Sequence, residues 1–131
     1  MRDIAPQWLE GCRLRECWFE PTFHKHAGEL CAGIQLHVED AGYNHEAFKP
    51  WRLMALAFKA LRRIRPDYAL WRDFSYEYEH DRPAIDLING GELLRTWVDD
   101  NNATPADLEA LAVIDEQRWL QARAAALIYP D

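Results

Sequence analysis

Three histidines are the first residues in this chain that could do chemistry. His24 and His26 stand two apart in a polar segment, and His37 follows a short distance on, with Cys31 between. Two loop imidazoles and one strand imidazole could converge on zinc and support a small metal-dependent hydrolase. The spacing matches no compact zinc signature, so surface or hydrogen-bonded histidines are the better expectation, with no metal and no cofactor. Glu77, Glu79 and Asp81 alternate in register. Neighbouring carboxylates can split their pKa values and work as acid and base. The plainer reading is a charged edge strand that blocks edge pairing. No nucleophile elbow, phosphate-binding glycine loop or dinucleotide fingerprint is present. Tyr68, Trp71, Phe74, Tyr76 and Tyr78 could stack sugar rings, although aromatic packing is the commoner use of such a run.

The elements that must position these residues read as α+β. Residues 13–19 alternate as a strand that Pro21 stops, and residues 31–38 form the clearest strand. In the second strand Ile34, Leu36 and Val38 point one way, and Gly33, Gln35 and His37 the other. A polar loop, Thr22 to Leu30, joins them, and Asp40, Gly42 and Asn44 supply turn chemistry before a helix from Pro50 to about Arg65. That helix carries an apolar stripe of Leu53, Leu56, Ala57, Ala60, Leu61 and Ile64. Lys59, Arg62, Arg63 and Arg65 lie toward its C-terminal end, where the helix dipole favours cations. Tyr76–Glu79 is expected to be an edge strand. Short helices are expected over Ala84–Ile88 and Glu92–Asp99, separated by the Asn89-Gly90-Gly91 turn.

The last helix has the best start signal: Thr104 as cap, Pro105 at the first position, Asp107 in the first turn. It should run to about Ala126 with Leu108, Leu111, Ala112, Trp119, Ala122 and Ala126 on one face. Asp115 falls in that face, so it calls for an arginine or backbone partner, or for a face that lines a cleft. The expected fold is a single α+β domain over 1–131: a small curved antiparallel sheet of three or four strands, with the two main helices packed on one face.

Composition narrows the function classes. The chain has 131 residues, 49% hydrophobic and 28% charged, with a net charge of −7. This is a globular balance rather than a disordered one. Its acidity argues against nucleic acid as a partner. No apolar run reaches the roughly 20 residues of a membrane span, and Met1–Pro6 has no signal-peptide character. The expected location is the cytoplasm by default, or the periplasm or cell envelope if the chain is part of an exported parent. Cys12, Cys17 and Cys31 are an odd set, expected to be small, mostly buried thiols; export would allow one disulfide and one free thiol.

The stretch from Trp18 to Val38, with Phe19-Glu20-Pro21-Thr22-Phe23, then Gly28, then Cys31-Ala32-Gly33-Ile34-Gln35-Leu36-His37-Val38, resembles a signature of the NamZ-like exo-β-N-acetylmuramidase family of cell-wall glycosidases. Ala47-Phe48-Lys49-Pro50, Ile85-Asp86-Leu87-Ile88-Asn89-Gly90 and Ala126-Leu127-Ile128-Tyr129 resemble further family motifs in the same order. His24 and His26 stand where the family pattern has Ser and Tyr, and Glu20 where it has Thr. The resemblance covers the C-terminal part of such enzymes. It implies an auxiliary domain, not catalytic alone, whose partner is an N-terminal Rossmann-like catalytic domain or separate chain. The two would hold a peptidoglycan-derived sugar in a cleft where they meet. Thr22 and Lys25 from the loop, and Gln35 and His37 from the strand, are the candidate cleft residues. The competing expectation is a stand-alone ligand- or protein-binding module with no glycosidase role.

Overall fold

The computed structural model describes residues 1–39 and 41–129, so the turn position expected at Asp40 lies outside the described residues. The chain divides into two compact units, 1–57 and 58–131.

In the first unit, Pro6–Leu9 form a 3₁₀ turn that buries Trp8. Strand β1 (Arg13–Phe19) pairs antiparallel with β2 (Cys31–His37). The α+β class is as expected, but the sheet is one hairpin rather than three or four strands. None of the strand residues is buried. The buried apolar side chains of this unit are instead Ala5, Trp8, Leu53, Ala55 and Leu56. Gly11 anchors the hairpin to the segment that precedes α1 (Pro50–Ile64). Its carbonyl accepts from the N–H of Asn44 at 3.0 Å. The Asn44 side chain in turn accepts from the N–H groups of Glu46 and Ala47 at 3.0 and 3.1 Å. Gly11 has φ +75°, and a Cβ there would lie 2.5–2.9 Å from the backbone of Asn44, Ala47 and Phe48. Only glycine fits both the left-handed backbone and the close approach.

The boundary between the units falls within α1. Pro50 occupies the first helical position, and Leu53, Leu56 and Ala60 are buried as the stripe requires. The last turn departs from expectation: Leu61 and Ile64 are exposed while Lys59 is buried. The reason is polar rather than apolar. Lys59 finds carbonyl oxygens within the second unit, at the end of α3 (Leu93–Asp99), and so can leave solvent.

In the second unit, Tyr76 and Glu79 are bridged across a tight turn rather than forming an edge strand, because Glu77 takes φ +53°. Helix α2 (Ala84–Asn89) ends at Gly90, whose left-handed backbone directs its N–H to the Leu87 carbonyl. Asp86 of α2 is buried and takes a bidentate contact from Arg95 of α3, at 2.6–3.1 Å. The Trp97 indole donates to the Thr104 carbonyl at 2.7 Å. Helix α4 (Pro105–Arg123) starts as its sequence signal requires, with a capping box between Thr104 and Asp107, and passes into a 3₁₀ turn at Ala124–Ala126.

Beyond Leu108, α4 is largely exposed, with Trp119 at 67%. The expected continuous buried face is absent because Val113, Ile114 and Leu120 fall off it, so the apolar residues surround the axis instead of lining one side. Asp115 has its arginine partner, Arg118 at 3.5 Å, but both side chains are exposed and no buried carboxylate needs relief. Among the described residues no helix is long and apolar enough to cross a membrane.

Candidate functional site

The pairing register decides what the hairpin can present. Arg13 faces His37, Arg15 faces Gln35, Cys17 faces Gly33 and Phe19 faces Cys31. Paired residues share a face, and the alternation sends Leu14, Trp18, Ala32, Ile34 and Leu36 to the other. One face is therefore cationic and hydrogen-bonding, and the other is apolar apart from Glu16. Gln35 and His37 lie together on the polar face, as the sequence implies. Arg13 and Arg15 join them there, and sequence reasoning did not single these two out. The pairing register brings both there, and with an irregular loop between the strands alternation within one strand does not fix that register.

Arg15 donates to the Gln35 side-chain oxygen, which orients the amide. His37 Nδ1 lies 3.1 Å from Glu39 Oε1, and the Val38 N–H donates to Glu39 Oε2 at 2.9 Å. That N–H and the neighbouring imidazole hold the Glu39 carboxyl below its ordinary range. At the far end, Phe19 lays its ring over Gly33; a Cβ on Gly33 would come within 2.8 Å of Phe19 Cε1.

The loop from Glu20 to Leu30 is tied at its base by the Gly28 N–H, which donates to the Pro21 carbonyl at 2.9 Å. His24, His26 and Gly28 all have positive φ, at 60°, 58° and 77°. Histidine tolerates this region better than most side chains, but each non-glycine residue there still costs on the order of 1 kcal/mol. Thr22 and Lys25 are exposed, and neither side chain has a hydrogen-bond or ion-pair partner among the described residues.

The three histidines do not converge. The His24 ring stacks edge-on against Phe23 at 5.1 Å, and His26 pairs with Glu29 at 3.2 Å. Among the described residues no group of three or more His, Cys, Asp or Glu could hold a metal ion. Glu79 is taken by Arg82 at 2.8 Å, which, with the Asp81 N–H, lowers its pKa; it is not free to share a proton with Glu77. Cys12, Cys17 and Cys31 are free thiols, half-buried rather than buried as expected. Burial pushes the Cys12 thiol up, which makes it less reactive.

The family model for the C-terminal part of the exo-β-N-acetylmuramidase NamZ matches residues 1–129. No curated protein and no solved structure matches the chain.

Proposed function

From the premise that this chain belongs to the family of C-terminal domains of the exo-β-N-acetylmuramidase NamZ, we propose that it is an auxiliary domain that supplies one wall of a sugar cleft and leaves bond cleavage to its partner. The family assignment implies an N-terminal catalytic partner domain, and we assign that partner a Rossmann-like fold and a peptidoglycan-derived sugar as substrate. The observation that carries the reading is the polar face of the hairpin. Gln35 and His37 sit there with Arg13 and Arg15, and the loop sends out the unpartnered Thr22 and Lys25. Hydroxyl and amide groups suit sugar hydroxyls. Cationic groups suit the lactyl carboxylate that distinguishes a muramic acid residue, because charge-assisted hydrogen bonds are the stronger kind.

The test uses the 131-residue chain, a separately produced N-terminal catalytic domain, and a chromogenic N-acetylmuramic acid glycoside. The chain alone should release no chromophore, and mixing or co-expression should raise turnover by the catalytic domain. Lys25→Ala and Gln35→Ala should raise KM in the mixture. Turnover by the pure chain would overturn the auxiliary role.

A second reading has its own observation. The opposite face of the hairpin leaves Trp18 71% and Ile34 50% exposed, and exposed apolar surface of this kind marks protein contact sites. A stand-alone binding module would account for it equally. Failure of the chain to change the catalytic domain's activity in the mixture would favour that reading.

A further inference from the structure

A separate depression of about 510 Å³ lies wholly within the second unit, lined by residues 71–75, 80–83 and Arg95. Its volume is in the range of small-molecule sites. Three arginines line it. Arg82 is neutralised by Glu79 at 2.8 Å and Arg95 by Asp86 at 2.6 Å. Arg72 has no carboxylate partner among the described residues; its guanidinium lies 4.2 Å from the centre of the Phe74 ring. A guanidinium held on an aromatic face keeps its in-plane N–H fork, the arrangement that recognises a carboxylate bidentately.

The remaining walls are also fixed. Trp71 donates its indole N–H to Asp99 at 2.7 Å and packs against Phe58 at 5.5 Å, so the ring is held from two sides. His80 Nδ1 and Ser75 Oγ are 2.7 Å apart, which sets the imidazole and leaves Nε2 as a further polar contact. Asp73 and Asp81 line the same depression. They would repel a bare anion, but they accept hydrogen bonds from the hydroxyls of a polyhydroxylated ring.

We propose that this depression binds a carboxylate-bearing saccharide, with Arg72 taking the carboxylate, the aspartates and the Ser75–His80 pair taking hydroxyls, and Trp71 providing the apolar wall. The combination selects a sugar acid over both a neutral sugar and a simple carboxylate. The site is distinct in its residues from the hairpin face of the preceding section, and it does not depend on a catalytic partner.

The experiment is an amide and indole NMR titration of the 131-residue chain with three probes: N-acetylmuramic acid, N-acetylglucosamine and lactate. N-acetylmuramic acid should shift Trp71, Phe74, Ser75 and His80, and the other two should bind at least about tenfold more weakly, as expected for loss of one charge-assisted contact or of the ring contacts. Arg72→Gln should weaken N-acetylmuramic acid by about tenfold or more while leaving the melting temperature unchanged, because Arg72 is exposed. Equal affinity for the two sugars, equal affinity for lactate, or no shift at these residues would overturn the proposal. Shifts confined to residues 22–37 would overturn it while supporting the hairpin cleft, so the two readings fail separately.

Discussion

Lys59 Nζ donates to the carbonyl oxygen of Trp97 at 2.7 Å and stands 4.8 Å from the centre of the same residue's indole ring. It also reaches the carbonyls of Val98 at 3.4 Å and Asp100 at 2.5 Å. The last carbonyls of a helix have no partner within it, and here one buried ammonium satisfies several of them at the end of α3. One turn later, Arg62 donates to Asp99 at 2.8 Å and to the Tyr68 carbonyl at 2.8 Å. Burial lowers the Lys59 pKa, Arg63 adds to the shift, and Asp100 and Asp99 oppose it.

Lys59→Met keeps the length of the side chain and removes the donors. The Trp97 and Val98 carbonyls it leaves behind belong to buried residues, so the variant should lose about 2–4 kcal/mol of stability. The linkage has a definite sign. The folded-state pKa lies below the ordinary lysine value of 10.5, so the unfolded chain binds more protons between those two values. Lys59 therefore makes stability rise with pH in that window. Urea denaturation of both proteins from pH 7 to 10.5 measures the loss, and the rise attributable to Lys59 should be missing from the variant.

Asp86 and Arg95 join α2 to α3 through a bidentate contact with a buried carboxylate. Asp86→Ala strands the guanidinium and should cost about 3 kcal/mol. Replacing both, as Asp86→Leu with Arg95→Met, should cost less than the two single changes added together. A double-mutant cycle by thermal denaturation should give a coupling of about 1–3 kcal/mol.

Gly11→Ala should destabilise the first unit by about 2–4 kcal/mol, since the added methyl meets backbone atoms and the residue has φ +75°. Gly28→Ala shares the positive φ but meets nothing within 4 Å. Its cost should stay near 1 kcal/mol. Comparing the two melts separates backbone strain from steric collision.

Asp107 accepts from both the Thr104 hydroxyl and the Thr104 N–H, each at 2.7 Å. These bonds lower its pKa below the ordinary 3.8. The depressed carboxylate contributes stability above that value and loses it as pH falls through the folded pKa. Helicity of α4 should therefore weaken below about pH 4, and Asp107→Asn should flatten that dependence. An NMR titration of the Asp107 carboxyl, with circular dichroism from pH 2 to 6, checks both points.

Local physics carried much of the architecture into the sequence. Both strands fell where alternation placed them, because side-chain direction in a strand is fixed residue by residue. Thr104, Pro105 and Asp107 announced α4 because capping is settled within four residues. Gln35 and His37 shared a face for the same reason, and the ordered motifs from Trp18 to Tyr129 carried the family.

Tertiary placement decided what local pattern cannot. Tyr76–Glu79 alternates like a strand but turns back on itself through the left-handed Glu77. Lys59 reads as a solvated helix-end cation until carbonyls distant in sequence accept its hydrogen bonds. Arg13 and Arg15 became part of the candidate site only through the hairpin register, and Arg72 only through its seat on Phe74. Each outcome depends on which groups meet in space, because desolvating a charge or a carbonyl becomes tolerable only when its partner arrives.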